Sequence, residues 1–197
     1  MWKRLLLVAL IVWGAHSWWK TRELQHGPGV VAPTAPEQTS IESGSSFELH
    51  GYRITPLAEF VVQARLLSRE RYRMGREADL SPIDFALGWG RMSDESVLSA
   101  MDIRQSNRFF FWHVQNELPI PRREIETSAA NMHLIPADKN ISNQLDNVRP
   151  GQVVRLSGFL VRADAADGWR WVSSLSRDDV GAGACELIYV KDVRIAL

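Results

Sequence analysis

One cysteine and one histidine form the first pair in this chain with the residue types for nucleophilic chemistry: Cys185 and His133. A thiol attacks as its thiolate, so the pair works only if the thiol pKa is depressed and an imidazole stands within hydrogen-bond reach. Cys185 precedes Leu187, Ile188 and Val190, and inside such an apolar stretch a cysteine serves equally well as a small core residue. Glu124, Glu126, His113, His133, Asp178 and Asp179 are the other titratable candidates. None of them has the spacing of a known metal site: HExxH, CxxC and DxDxDG are all absent, so no metal or cofactor is expected. The best place for a ligand pocket is where Arg122, Glu124 and His133 meet the turn Arg177–Asp178–Asp179. Gly181-Ala182-Gly183 lacks the Lys-Ser/Thr of a phosphate loop and reads as a turn.

The second chemical feature is positive. From Phe60 to Arg73 the residues alternate, with Phe60, Val62, Ala64, Leu66 and Tyr72 on one side and Arg65, Arg69, Arg71 and Arg73 on the other. Such a face suits an anionic ligand, or single-stranded nucleic acid helped by the rings of Tyr72, Trp169 and Trp171. Glu70 and Glu77 interrupt it. Residues 47–197 carry 17 arginines and 2 lysines against 20 acidic residues, a net charge of −1. Nucleic acid is therefore disfavoured as a partner. The arginine preference fits fixed, forked ion pairs better than solubilising charge.

These residues need a scaffold, and 197 residues supply one domain with an appendage. Met1-Trp2-Lys3-Arg4 leads into an apolar run from Leu5 to Val12, extended to Trp18-Trp19 and followed by Lys20 and Arg22. Cations followed by an apolar run mark a membrane-targeting segment. Trp2 to Trp19 as a helix covers roughly 27 Å, enough for a bilayer core, and tryptophans at its ends suit an interfacial belt. Ala15-x-Ser17 also forms a passable signal-peptide cleavage site. Residues 1–23 are thus a transmembrane anchor or a signal peptide, and either places the domain in the periplasm, with the anchor in the inner membrane. Residues 24–46, rich in Pro, Gly and Ser, read as a flexible tether holding the domain roughly 25–30 Å from its anchor. The alternative is that Gly29-Val30-Val31-Ala32-Pro33 packs on the domain as an extended arm.

Residues 47–197 predict an α+β, mainly β domain: a small curled barrel with short peripheral helices. Phe47–Ile54 is a strand ending at Thr55-Pro56. Ser81-Pro82-Ile83-Asp84 opens a helix that stops at Gly88, with Ser as cap and Pro at the first position. Ser93-Asp94-Glu95 opens a second helix, and Arg108–Val114 is a buried aromatic strand. Asp138 caps a third helix, with Ile141, Leu145 and Val148 on one stripe. Strands follow at 151–162, where Gly158 marks a bulge, then at 169–174 and 184–190, closing with 193–195.

Pro150-Gly151-Gln152-Val153-Val154-Arg155-Leu156-Ser157-Gly158 resembles the opening-strand phrase of OB-fold domains. Residues 47–197 as a whole are similar to a family of membrane-anchored proteobacterial proteins, through Arg122-Arg123-Glu124-Ile125-Glu126, Ala130 through Ala137, and Ser176 through Glu186. The resemblance implies an OB-like barrel and an envelope location, and no activity. With no catalytic motif, the leading expectation is a non-enzymatic binding or accessory domain of the cell envelope, meeting a protein partner or an envelope component. The alternatives are an envelope hydrolase built on Cys185 and His133 or on carboxylates, and an OB-type nucleic-acid-binding domain.

Overall fold

The computed structural model describes residues 2, 5–8, 10, 12–14, 22–42, 44–176, 179, 181 and 183–196. Its backbone is one strand, β3 (Tyr52–Arg71), around which the sheet is wound. Along one edge β3 pairs antiparallel with β8 (Val153–Ala165), from Tyr52↔Ala165 to Arg65↔Val153. Its other edge is taken in turn by β2 (Phe47–Leu49), β1 (Glu37–Ser40) and β4 (Ile83–Gly88). From β4 the sheet continues through β7 (Ala129–Pro136) and β10 (Glu186–Ala196) to β8, with β9 (Arg170–Val172) beyond it. The β3–β8 pairing thus joins the sheet to itself in a curl. All its pairings are antiparallel except β7–β10.

The alternation expected for Phe60–Leu66 holds: these side chains point into the curl and meet Phe85, Leu87, Met132, Leu134, Leu156 and Ile188. Burying each large apolar side chain contributes about 1.5–3 kcal/mol, and the shared face fixes the register. The end of the curl is stopped by helix α4 (Lys139–Asn147), whose stripe of Ile141, Leu145 and Val148 is buried as expected. Asp138 caps it, accepting from the Ile141 N–H at 2.8 Å. Gly158 stands where β10 crosses so closely that a Cβ would lie 1.9 Å from the Tyr189 carbonyl oxygen. The register shift expected there falls on the partner strand, between Val190 and Asp192.

Three expectations for the elements change. The strand at Phe47 does not stop at Thr55-Pro56. It turns at His50-Gly51, both with positive φ, and β3 then runs through Pro56 at a register shift, where proline is tolerated. The helix expected from Ser81 is strand β4, buried at every residue. Instead a short helix α1 (Arg76–Leu80) ends at Ser81, because the residue before a proline is pushed out of the helical region. The strand Phe109–Val114 (β6) is not buried. It forms a separate two-stranded sheet with β5 (Met101–Ser106), exposing Phe109 and Phe111 while Phe110 and Trp112 face inward. The helix expected from Ser93-Asp94-Glu95 to about Met101 forms over Glu95–Leu98 (α2), with Asp94 accepting from the Ser96 N–H, and Met101 already belongs to β5. Before it lies a 3-10 turn, Gly90–Ser93, and after β6 comes α3 (Arg122–Thr127).

The segment expected as a flexible tether takes the alternative form, an arm laid on the domain. Leu24 N–H donates to the Pro150 carbonyl at 2.8 Å, and the His26 ring nitrogen Nε2 lies 2.6 Å from the Gly151 carbonyl. Val31 and Ala32 N–H groups donate to Ser93 Oγ, Ala32 is buried, and residues 37–40 form β1. Proline and glycine made the stretch look unstructured, but extended backbone satisfies its polar groups on a neighbour. At the N-terminus, Leu5–Val8 and Val12–Gly14 are helical. Among the described residues no helix is long and apolar enough to cross a membrane. Lys3, Arg4, Ala15, Ser17, Trp18, Trp19 and Lys20 lie outside them.

Candidate functional site

A buried carboxylate organises the outer side of β4 and β7. Asp84 lies opposite His133 in the β4–β7 register and is fully buried. Its Oδ2 lies 2.9 Å from His133 Nδ1 and accepts from Asn131 Nδ2 at 3.3 Å, and its Oδ1 accepts from Arg108 Nη1 at 2.6 Å. An ionised carboxylate only accepts, so Nδ1 carries a proton and orients the ring. A buried charge needs this degree of pairing, because desolvation costs several kcal/mol per ion.

Arg108 is delivered by the tip of the β5–β6 hairpin. Ser106 faces Phe109, leaving Asn107-Arg108 as a two-residue turn with both φ positive. Arginine at φ 70° is unusual for a residue with a Cβ, and the turn is held by its surroundings. The Arg108 N–H donates to Tyr72 Oη at 2.9 Å, its carbonyl accepts from Asn131 Nδ2 at 3.0 Å, and its guanidinium lies 3.7 Å over the Tyr72 ring. Gln105 Nε2 donates to Asn131 Oδ1 at 2.6 Å. Trp171 covers His133 with ring centroids 4.8 Å apart, and Trp169 and Tyr52 continue the row of rings. The network pins the hairpin to the sheet and shields His133 from solvent.

Beside it, between the inward side of β6, α3, the start of β7 and the loop before β10, lies a cleft of about 170 Å³. Trp89, Phe110 and Trp112 supply apolar wall, while Asn131, Cys185 and Glu186 form polar floor. His133 pairs with Leu187, whereas Cys185 lies just before β10, hydrogen-bonded to the Asn131 side chain. Its Sγ lies 3.9 Å from the Arg108 carbonyl, and no hydrogen bond joins it to His133. Burial above all, then the carboxylates of Glu186 and Asp84, push the thiol up to about 12. At neutral pH it is a protonated thiol, the wrong form for a nucleophile.

The sequence candidates scatter. Glu124 is held by Arg91, donating from Nε at 2.6 Å, and that guanidinium keeps its carboxyl below the usual range. Arg122 donates to Glu126 at 3.1 Å and lies over the Trp112 ring. Asp179 lines the cleft and accepts from Ser174 Oγ at 2.6 Å; Arg177 and Asp178 lie outside the described residues. Among the described residues no group of three or more His, Cys, Asp or Glu is placed to hold a metal. The arginine face also breaks up, because β3 carries an extra residue at the register shift between Leu66 and Ser68 and its alternation slips. Arg65 is buried and donates to Glu95 at 2.6 Å. Arg69 donates to the Asp146 and Val148 carbonyls at 2.7 and 2.9 Å, closing the end of α4, and Arg71 pairs with Asp146. Of the four, Arg73 is left at the exposed end of the run, beyond β3.

Asp84, Arg108, Asn131 and Gln105 were not foreseen as site residues. The available signal was Asp84 itself, an acid in an otherwise apolar run, Ile83 to Leu87. Comparison of the chain with protein-family models, with curated proteins and with solved structures finds no match.

Proposed function

We propose that this chain is a membrane-tethered, non-enzymatic binding domain of the cell envelope, facing the periplasm, and that the cleft beside β6 and β7 is its ligand site. The observation that carries the reading is the state of the polar groups around the cleft. The thiol is held protonated, and the imidazole is fixed to Asp84 under Trp171, so the polar residues brace a recognition surface. An apolar wall with a few fixed polar groups is the usual make-up of a binding cleft. We further read the curl as an OB-like barrel. The order β3-β4-β7-β10-β8 with return to β3, the parallel β7–β10 contact and a helix between β7 and β8 support that. In this reading the phrase Pro150–Gly158 leads into the fourth strand of the barrel, not the opening one.

The test compares full-length protein with Ala130→Trp, a bulky substitution at a residue that lines the cleft and also packs on the core, both recovered from membranes after crosslinking. A component recovered with the parent and lost with the variant, both equally folded by circular dichroism, supports the reading. Equal recovery from both sinks it. A reporter fused after Leu197 checks the periplasmic orientation independently.

A further inference from the structure

Among the described residues strand β6 pairs on one side only, with β5. In a hairpin with a two-residue turn, the flanking pair Ser106↔Phe109 exchanges hydrogen bonds, and the pattern then alternates. Phe111 and His113 therefore bond inward to Arg104 and Asp102. The backbone N–H and C=O groups of Phe110, Trp112 and Val114 point the other way, to an edge where no other strand pairs among the described residues. Such an edge is a template for another strand, and natural domains usually cover or charge it. Here Phe110 and Trp112 line the cleft on one side, and the same residues with Leu118 and Arg122 line a second groove beside it.

We propose that this free edge takes an extended, basic polypeptide segment as an added strand, the segment lying along β6 in the cleft. The proposal rests on the binding-domain reading and names its partner's chemistry. Two features choose the occupant. The row of outward donors and acceptors matches an extended backbone, whose side chains then alternate between the apolar wall and solvent. The charged side chains among the described lining residues of the cleft are Glu126, Asp179 and Glu186, all carboxylates; Glu126 and Arg122 compensate one another, so the excess negative charge of the lining is that of Asp179 and Glu186. Arginines next to the edge are already engaged, Arg104 by Asp102 and Arg122 by Glu126. An acidic segment would meet like charge.

The experiment uses isotopically labelled full-length protein in detergent and a short peptide of alternating valine and lysine. The expected result is saturable binding that shifts the amides of Phe110, Trp112 and Val114 and slows their hydrogen exchange. Methylating the edge-facing amides of the peptide removes two or more hydrogen bonds and weakens binding by about tenfold or more. The valine–glutamate counterpart binds more weakly by a margin that shrinks as salt is raised. Edge amides that do not respond, an N-methylated peptide that binds as well, or a glutamate peptide that binds as tightly overturns the proposal. If Ala130→Trp still loses its membrane component while the edge amides stay silent, the binding-domain reading stands and strand addition falls.

Discussion

Replacing Asp84 by alanine removes one acceptor from three donors at once: His133 Nδ1, Arg108 Nη1 and Asn131 Nδ2. Breaking a buried ion pair from one side costs about 3–5 kcal/mol, because the remaining charge has no counter-ion. The Arg108 side chain keeps 17% exposure and recovers some hydration, so the lower part of that range, about 3 kcal/mol, is expected. Urea unfolding followed by tryptophan fluorescence reads it. With a slope of about 1–3 kcal/mol per molar, the midpoint falls by roughly 1–3 M at constant slope. Arg108→Met in the Asp84→Ala background removes the stranded charge and recovers part of the loss. A single-variant loss below about 1 kcal/mol, or a double variant no better than the single, would refute the claim that this carboxylate organises the site.

Other consequences follow from the same geometry. Gly158→Ala forces the Tyr189 carbonyl away from a Cβ and costs about 1–3 kcal/mol in urea unfolding, as overpacking does. Cys185, pushed up to about 12, reacts with a thiol reagent in native protein far more slowly than in urea across pH 7–9, so equal rates would show the thiol to be activated. The arm loosens in acid. Hydrogen bonds from the Gly29 N–H and then from Ser96 hold the Asp94 carboxyl below its ordinary value, so its contribution is present above the unfolded carboxylate range and is lost as pH falls through the folded value. Limited proteolysis within residues 24–32 should accelerate there before the domain unfolds; cleavage that tracks global unfolding contradicts this. His26→Ala removes the contact to the Gly151 carbonyl, weakens the arm by about 1 kcal/mol and speeds exchange of the Ala32 amide.

The frame of the fold was legible wherever one periodic face met one core. The Phe60–Leu66 alternation, the capped stripe of α4 and the strands after Gly151 needed nothing beyond local pattern. What failed was settled by distant partners. Ser81-Pro82 carries a good helix start, yet β4 is buried between β3 and β7, and tertiary pairing outweighs a capping preference. The arginine run read as one face because a one-residue bulge leaves no mark in hydropathy. Arg108 could not be seen, since its role depends on a turn that carries it to Asp84, twenty-four positions earlier in the chain. His133 and Cys185 stand out for their chemistry, but their neighbours are set by the fold, Asp84 by the β4–β7 register and Asn131 by a side-chain contact, neither of which composition reveals.

The proposed function places partner recognition at the cleft. Site-specific photocrosslinking of the full-length protein in native membranes tests this, with the reactive group placed at Phe109 or Thr127 on the cleft and at the exposed Glu59 of β3. Adducts of one defined mass from Phe109 and Thr127, absent from Glu59 and lost in Ala130→Trp, are the predicted result. Adducts equally strong from Glu59, or none from the cleft positions, would contradict it.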